Sequence, residues 1–477
     1  MPQQAEHTNF MATNNELWTL TATELSNLIR TKEVSAVEVT HSVLERLDAV
    51  NPAINAIVTE MPNEAISTAK SIDKKISGGD PVGPLAGIPM TIKTNVDQIG
   101  YANTNGLKIQ KDNITDQDNA VVNNLRKADA VFVGRTNTPA FSMRWFTRNT
   151  LHGHTRNPVD PTLTPGGSSG GAAAAVAAGI GPIAQGSDIA GSIRYPAYAC
   201  GIHGIRPSLG RVPSLNPCAA DRHLGAQITA VQGPLARSID DLELALHAMA
   251  ARDIRDPWWV PAPTRFSEFE KKAALCINPD GLQTDTVVEN TLRESAAKLK
   301  DGGWTVTELP CPPMRTPAEM QLLLWMSEMR RNGAELVEKE NDPDASFVFA
   351  EFQKNYPAPD LDGFLDLLQA RAAYIREWMQ FTDEYPIVMV PVSAALPFKD
   401  NLDVESPASL AKIVEAQMTQ IGLPFMGIPA LAVSTGTVEQ SPVGVQLVAG
   451  RYREDILFAA ARELETTVKP VTPLSLN

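Results

Sequence analysis

Hydrophobic residues at helical spacing open the chain. Thr21 or Thr23 begins an amphipathic segment that continues to residue 34, and Ser35 precedes a second segment over 36–51. Each segment therefore starts with a residue type that caps helices well. In the second segment the apolar side chains recur on one side of the helix. The pattern predicts a pair of amphipathic helices at the start of the fold.

Strand-like and helix-like segments alternate after this pair. Residues 84–96 form an apolar, β-branched run typical of a buried strand, and a helical segment over 120–130 leads into a short apolar strand over 131–133. Further helices are predicted at 320–337, 361–379 and 454–467, and further strands at 385–391 and 430–435. This alternation favours a layered α/β fold with helices packed on a sheet.

Charge and composition exclude several classes of partner. The 477 residues carry a formal net charge of −14, and no long run of Lys and Arg forms a basic stripe, so we expect no nucleic acid partner. The first 15 residues are polar and show no signal-peptide pattern. No apolar run reaches the roughly 18 residues of a membrane helix. A cytoplasmic protein without membrane contact is predicted.

The cysteines and histidines show no metal-ligand spacing. His152 and His154 lie close together in sequence but have no third ligand nearby. No Cys-x-x-Cys or Cys/His pattern occurs among Cys200, Cys218, Cys276 and Cys311. We therefore expect reduced thiols and no metal site.

A glycine-rich stretch over 165–196 holds the most unusual polar residues of the chain. Ser168 and Ser169 lie between two glycine pairs, and Ser192 follows a glycine after a run of small residues. Glycine is needed where the backbone takes a positive φ or approaches another group closely. The stretch therefore indicates a constrained backbone built around hydroxyl groups, as in a catalytic site.

Lys93 lies near the end of the predicted buried strand. Burial favours the neutral amine by lowering the pKa of a lysine, which would make Lys93 a base near pH 7. The alternative is a lysine at a strand end whose amine extends into solvent.

Other serine motifs fit less well. The spacing Ser-x-x-K occurs twice, from Ser67 and from Ser71, but in a polar segment without the companion motifs of Ser/Lys acyl enzymes. A nucleophile elbow centred on Ser169 lacks the apolar strand that should precede it, and no Walker lysine accompanies the glycines. A serine pair acting with Lys93 is the interpretation that remains.

Several sequence blocks match one known family. GGSSGG stands at 166–171 and GSDIAGSIRYP at 186–196. Further blocks are GIPMTIKTNVDQIG at 87–100, GRTNTPAF at 134–141, TRNP at 155–158, GPLARS at 233–238 and GIPALAVSTG at 427–436. With these blocks the chain resembles the amidase signature family of serine amidohydrolases, and only about 250–390 is poorly covered.

The resemblance implies a single large α/β/α domain with a mixed, twisted central sheet. The polar residues 1–15 are expected to form a flexible leader, and the resemblance places the domain at 16–477. Within the domain, core motifs lie at 80–250 and 380–470, and a variable helical cover over about 251–380 selects the substrate.

The resemblance also implies a catalytic triad. Ser192 is the expected nucleophile, and Ser168, 24 residues earlier, follows a cis peptide bond and passes the proton to Lys93. Without a suitable histidine nearby, the serine hydroxyl needs such a relay to become a nucleophile. No metal or organic cofactor is expected.

The loop before the nucleophile is expected to bind the oxyanion. The backbone N–H groups expected to do so belong to Ile189, Ala190, Gly191 and Ser192. Ala190 stands where the family usually has glycine, so its Cβ narrows the site or excludes a positive φ at this position. Asp188 and Arg194 are expected to brace the loop as an ion pair, and Ser169 to hold the loop or the lysine by hydrogen bonds.

The predicted activity is hydrolysis of a small-molecule carboxamide through an acyl-enzyme on Ser192. Met143, Trp145, Phe146 and Trp325 suggest an apolar or aryl acyl group, although Met and aromatic clusters more often pack than line a pocket. Alternatives are a glutaminase-like subunit of a tRNA-dependent amidotransferase and a silent binding module on the same fold. A homodimer is a further expectation, because dimers are frequent in the family.

Overall fold

The computed structural model describes residues 14–265 and 268–473. The leader predicted at 1–15 therefore lies almost wholly outside the described residues. The strands are β1 (Ile57–Glu60), β2 (Pro89–Lys93), β3 (Val131–Thr136), β4 (Arg148–Asn149), β5 (Gly153–His154), β6 (Ile183–Asp188), β7 (His203–Arg206), β8 (Val231–Ala236), β9 (Lys272–Leu275), β10 (Thr305–Glu308), β11 (Ile387–Pro391), β12 (Ala430–Val438) and β13 (Ser441–Val448).

Six of the helices of the described residues correspond to segments predicted from the sequence. The helices are α1 (Ala22–Arg30), α2 (Ala36–Ile54), α3 (Pro62–Gly78), α4 (Ala120–Lys127), α5 (Gly170–Ala177), α6 (Arg194–Ala199), α7 (Leu224–Thr229), α8 (Ile239–Met249), α9 (Thr286–Asp301), α10 (Arg315–Glu340), α11 (Pro343–Asn355), α12 (Leu361–Glu384), α13 (Pro407–Ala416), α14 (Met418–Met426) and α15 (Glu454–Leu464). None of these helices is long and apolar enough to cross a membrane.

The predicted opening helix pair is confirmed, and capping explains where each helix begins. Thr21, rather than Thr23, caps α1, and its hydroxyl accepts a hydrogen bond from the Glu24 N–H at 3.2 Å. Ser35 caps α2 in the same way, accepting from the Glu38 N–H at 3.1 Å. In both helices the glutamate reaches back to the cap, which satisfies a second free N–H group.

One mixed sheet organises the described residues. Its strand order is β1-β3-β2-β6-β8-β7-β12-β13-β11-β9-β10. Strand β2 runs parallel to both β3 and β6, and β9 runs parallel to both β10 and β11. The pairs between these two groups are antiparallel, as β6 with β8 and β12 with β13 show. The predicted mixed α/β/α architecture is confirmed.

Helices cover both faces of the sheet, as the side chains of β11 show. Val388 and Val390 pack in the hydrophobic cluster that includes α10 to α14. Ile387 and Met389 pack in the cluster that includes α8, α9 and α15. Because successive side chains of a strand point to opposite faces, the strand is buried on both sides.

The region predicted as a helical cover has two parts. Its first part, β9, α9 and β10, extends the edge of the central sheet rather than covering it. Its second part, α10, α11 and α12, packs on one face and contributes to the same cluster as α5 and α6. Within the region predicted as a cover, the helices that pack on this face therefore begin at Arg315 and not at about 251.

A buried ion-pair network attaches this helical layer to the core. Arg144 donates to both carboxylate oxygens of Asp403 at 2.8 Å and to Asp344 of α11 at 2.6 Å, and its side chain is fully buried. Arg148 donates to Asp344 as well, at 2.7 Å to each oxygen. The network joins the loop before β4 to elements some 200 residues later in the chain.

We expect Arg144→Met to destabilise the protein strongly. Removing one partner of a buried ion pair leaves the Asp403 carboxylate without its cation, which typically costs about 3 to 5 kcal/mol. The measurement is the midpoint of thermal unfolding at fixed scan rate.

The matched control is Arg293→Met, because Arg293 forms an ion pair with Glu308 in which both side chains are about half exposed. We expect little change in the midpoint for this variant. Equal shifts in the two variants would contradict a structural role for the buried network.

Candidate active site

Two parallel strands bring the polar residues of the site to one edge of the sheet. Lys93 is the last residue of β2, and Asp188 is the last residue of the neighbouring parallel strand β6. Because the carboxyl ends of parallel strands meet at the same edge, Lys93 lies beside Ser187 and Asp188. The site is therefore fixed by the pairing of two central strands.

The Lys93 amine is fully buried among three hydroxyl groups. Its Nζ lies 2.7 Å from Ser168 Oγ, 3.1 Å from Ser169 Oγ and 3.2 Å from Ser187 Oγ. Burial lowers the pKa of Lys93 from 10.5 to about 7, and the charge of Asp188 only partly opposes this shift. A large fraction of the protein therefore holds Lys93 as a neutral amine at neutral pH.

Close backbone packing positions Ser168. The peptide bond between Gly167 and Ser168 is cis, as the family resemblance implied. A Cβ on Gly167 would lie 2.4 Å from the carbonyl oxygen of Arg144, and one on Gly171 would lie 2.5 Å from the backbone nitrogen of Asn137. Only glycine allows this approach, which explains why glycines flank the two serines.

Ser192 lies on the loop between β6 and α6. Its carbonyl oxygen accepts a hydrogen bond from the Ser169 N–H at 3.1 Å, which ties the two serine loops together. Its hydroxyl has no hydrogen-bond partner among the described residues, and it lines a cavity together with Ser168 and Ser187. Ser192 thus faces open space beside the buried serine and lysine.

The expected ion pair between Asp188 and Arg194 is present and fully buried. Arg194 donates to both carboxylate oxygens of Asp188 at 3.0 Å. Asp188 also accepts from the Gly191 N–H at 2.8 Å and from the Ile193 N–H at 3.2 Å. Burial opposes ionisation, but these partners, with Arg206, lower the pKa of Asp188 to about 2.

One of the four N–H groups predicted to bind the oxyanion is already used within the protein. The Gly191 N–H donates to Asp188 and is not available to a ligand. The N–H groups of Ile189, Ala190 and Ser192 donate to no atom of the described residues. Sequence could not separate these four, because the direction of an N–H group depends on backbone dihedrals.

The carbonyls of residues 188–191 are all held from outside the cavity. The Asp188 and Ile189 carbonyls accept from Arg206 Nη1 at 2.8 Å and from Gln321 Nε2 at 3.0 Å. The Ala190 carbonyl accepts from Trp145 Nε1 at 2.8 Å, and the Gly191 carbonyl from the N–H of a residue in α6 at 2.8 Å. In a planar trans peptide the N–H points away from the C=O. These anchors therefore set the direction of each N–H group.

The alanine in place of the family's glycine is compatible with the loop. Gly191 takes a φ of 100°, whereas Ala190 does not take a positive φ. This agrees with the expectation that the Cβ excludes a positive φ at position 190. Ala190 is nearly fully buried in the core cluster that includes Trp145.

The cavity beside Ser192 has a volume of about 200 Å³. Trp325 lines it, as predicted, and Phe141 supplies a second aromatic side chain to the lining. The prediction that Met143, Trp145 and Phe146 line the pocket is wrong. All three are at least 96% buried, and none of them borders this cavity.

The structure adds residues that sequence reasoning missed. Ser187 contacts the lysine, and Gln321 and Arg206 hold the loop, although each is distant in sequence from its partner. The only sequence signal was the position of Ser187 in the GSDIAGS block. Arg222 and Phe141 border the cavity without any motif that marks them.

No metal site is seen in the described part of the chain, where no three His, Cys, Asp or Glu side chains could hold a metal ion together. The His152 ring lies 3.1 Å from Thr104 Oγ1, and the His154 ring lies 2.9 Å from Asp400. The four cysteines are free thiols. Ser67 and Ser71 lie on the exposed side of α3, away from the cavity.

Known proteins resemble this chain over most of its length. The sequence profile of the Amidase family matches residues 38–458. Indoleacetamide hydrolase of Bradyrhizobium diazoefficiens is 39% identical over 453 residues, which cover 94% of this chain and 86% of that protein. A glutamyl-tRNA(Gln) amidotransferase subunit of Fusobacterium nucleatum subsp. nucleatum is 30% identical over 486 residues, covering 95% and 98%.

A solved structure agrees with these sequence comparisons. The structure of 6-aminohexanoate cyclic dimer hydrolase superposes with a TM-score of 0.81 at 26% identity, covering 94% of this chain and 96% of that one. The profile match, the relatives and the shared sheet all lead to the same conclusion. The chain belongs to the amidase signature family and is an amide-hydrolysing enzyme.

Proposed function

We propose that this enzyme cleaves a carboxamide through a covalent acyl-enzyme on Ser192, with Ser168 and Lys93 relaying the proton. The observation that supports this most is the buried Lys93 amine, which has a pKa of about 7 and lies 2.7 Å from Ser168 Oγ. A base with a pKa near the working pH is the most effective proton acceptor.

The contacts of Lys93 fit a neutral amine with a defined orientation. Ser187 Oγ also accepts from Asn95 Nδ2 at 3.0 Å, and Ser169 Oγ donates to the Ser187 carbonyl at 3.3 Å. Ser169 Oγ, whose own hydrogen is used, therefore accepts one N–H group of a neutral amine, and Ser187 Oγ keeps a lone pair that can accept the other. The lone pair of the amine is left to accept a proton from Ser168.

The proposed reaction has two halves. In the first, the Ser192 oxygen attacks the amide carbon while its proton passes through Ser168 to Lys93. Because a hydroxyl both donates and accepts, Ser168 then returns the proton to the departing amine or ammonia. In the second half, water attacks the acyl-enzyme by the same relay and releases the carboxylate.

The free N–H groups of Ile189, Ala190 and Ser192 would bind the oxyanion of the tetrahedral intermediate. Loss of one such donor typically costs about 3 to 4 kcal/mol of transition-state stabilisation. Gln321, Trp145 and the other anchors hold the carbonyls before the substrate arrives. The donors therefore need no rearrangement during the reaction.

The substrate we favour is a small amide with an apolar or aryl acyl group. Phe141 and Trp325 offer two aromatic side chains beside Ser192, and the cavity is of a size for a small molecule. The 39% identical relative is named for indoleacetamide, whose acyl group carries an aromatic ring. Comparing kcat/KM over a panel of arylacetamides, anilides and hydrazides would identify the preferred leaving group and the class of the natural substrate.

A glutaminase-like subunit of a tRNA-dependent amidotransferase is the second candidate, because relatives at 30% identity are such subunits. Turnover of arylacetamides by the isolated chain, with no response to added partner subunits, would exclude it. A cytoplasmic location, a homodimer and independence from cofactors stay predictions.

We expect Lys93→Ala and Ser192→Ala each to lower kcat by roughly 10³-fold or more, since removal of a triad member abolishes nucleophile activation. Ser168→Ala should leave a small residual rate. The measurements are steady-state hydrolysis of phenylacetamide and mass spectrometry of the intact protein after exposure to a serine-directed phosphonate.

Lys70→Ala is the control for these variants, because Lys70 is exposed on α3 in one of the Ser-x-x-K repeats. It should hydrolyse phenylacetamide like the parent. Equal turnover in Lys93→Ala and the parent would contradict the relay, and a folded parent that no phosphonate labels at Ser192 would contradict the acyl-enzyme.

The pH dependence follows from the lowered pKa of Lys93. Below about pH 7 the amine is protonated and cannot accept a proton, so kcat/KM for a neutral amide should fall tenfold per unit. Above that pH the amine is neutral, and kcat/KM should become constant. A profile that is flat from pH 5.5 to 8 would exclude Lys93 as the base.

The loop geometry predicts opposite outcomes at two adjacent positions. In Gly191→Ala the new Cβ would lie 2.7 Å from Gln420 Cβ at a φ of 100°, so kcat and the unfolding midpoint should both fall. Ala190→Gly removes a side chain at an ordinary φ and should keep most of the activity. Comparable losses of kcat in both variants would show that the backbone dihedrals at positions 190 and 191 do not determine the conformation of the loop.

A further inference from the structure

One cationic side chain at the catalytic cavity has no carboxylate partner. Arg222 lines the cavity beside Ser192, and no carboxylate oxygen of the described residues lies within 4.0 Å of its guanidinium. The guanidinium instead donates to the carbonyl oxygens of Ser214 at 3.2 Å and Ala226 at 3.3 Å. Carbonyl groups hold the side chain in place without neutralising its charge.

The other charges near the cavity do not compensate Arg222. Among the described residues, Asp188 is the only other charged residue in the lining, and Arg194 already neutralises it. Asp221 and Asp256 act on Arg222 only from beyond ion-pair distance. The Asp256 carboxylate accepts from backbone N–H groups at 2.6 and 2.8 Å instead.

Burial makes the missing partner significant. Desolvation lowers the pKa of Arg222 by more than Asp256 and Asp221 raise it, so the charged form lacks part of its stabilisation. Because an arginine stays protonated in proteins, an anion that enters the cavity would stabilise the charged guanidinium of Arg222.

Arg222 also stands at the junction of two cavities. Together with Ser214 and Asn216 it borders a second cavity of about 200 Å³, whose lining includes Trp258 and Asp256. A substrate group that extends from Ser192 toward this junction would therefore meet the guanidinium. The reacting carbonyl of such a substrate would lie at Ser192, and its charged end would lie at Arg222.

We propose that Arg222 forms an anion subsite, and that the preferred substrates are amides that carry a carboxylate beyond the scissile bond. This inference rests on the proposed amide hydrolysis and defines its substrate class. The fork of the guanidinium suits a carboxylate, and a hydrogen bond of this charge-assisted kind is worth roughly a 10- to 100-fold gain in affinity.

Three probes that share one acyl skeleton test the proposal. Phenylacetamide is neutral, 4-(carbamoylmethyl)benzoate carries the carboxylate on the acyl side, and phenylacetylglycine carries it on the leaving amine. For the parent we expect a higher kcat/KM with one of the two carboxylates than with phenylacetamide. The side that is preferred shows which end of the substrate reaches Arg222.

The variants are Arg222→Met, Arg222→Lys and the control Arg252→Met, in which an exposed arginine outside both cavities is replaced. In Arg222→Met the loss of kcat/KM with the preferred carboxylate should exceed the loss with phenylacetamide by roughly 10- to 100-fold. The loss in Arg222→Lys should lie between those of the parent and Arg222→Met, because the positive charge remains but the forked geometry of the guanidinium is lost. Arg252→Met should behave like the parent.

The dependence of KM on ionic strength distinguishes an anion-binding role of Arg222 from a purely structural one. Raising the ionic strength should increase KM for the preferred carboxylate in the parent, but not in Arg222→Met, because screening weakens a charge pair that solvent reaches. Equal losses with all three probes in Arg222→Met, or no loss with any, would overturn the subsite.

A binding measurement separates the subsite from the proposed reaction. If the parent hydrolyses none of the probes, the amide hydrolysis proposed for this cavity fails. Calorimetric titration of the Ser192→Ala variant with the same probes, with and without Arg222→Met, then still decides the subsite. Tighter binding of a carboxylate that depends on Arg222 supports it, and equal dissociation constants for all three probes reject it.

Discussion

The whole site depends on the burial of one amine. Lys93 forms no ion pair among the described residues, and three hydroxyl groups are the only side-chain partners of its amine there. A buried ammonium would be costly without a counter-charge, so the site is stable because the amine gives up its proton near pH 7. The ends of β2 and β6 and the glycine-flanked serines create this environment.

The loop that carries Ser192 has a second structural property, which is that it presents free N–H groups inside the protein. Unpaired buried N–H groups are rare, because each costs free energy unless a ligand or water satisfies it. Here the cost is confined to a loop whose carbonyls are all bonded and whose Asp188 is held by two arginines. The surrounding structure is rigid enough to maintain a local arrangement that is unfavourable by itself.

The sequence pointed to the polar residues that the structure brings together, but not to the directions in which their groups point. Lys93 and the glycine-flanked serines were unusual locally, but the grouping of Lys93, Ser168 and Ser192 came from the family resemblance. Whether an aromatic side chain faces the cavity depends on the backbone: Phe141, at a φ of 60°, borders it, whereas Trp145 turns its indole N–H to the Ala190 carbonyl. The layered α/β class was predictable from alternating patterns and the mixed sheet from the family resemblance, but contacts across hundreds of residues were not.

The contact between Gln321 and the Ile189 carbonyl has a consequence for how such an enzyme changes specificity. Gln321 belongs to α10, one of the helices that cover this face, yet it contacts the backbone three residues before Ser192. The covering helices are therefore coupled to the loop that carries Ser192. A change in these helices that removes the Gln321 side chain also removes the donor that fixes the Ile189 carbonyl, so a change in the cover reaches the backbone of the site.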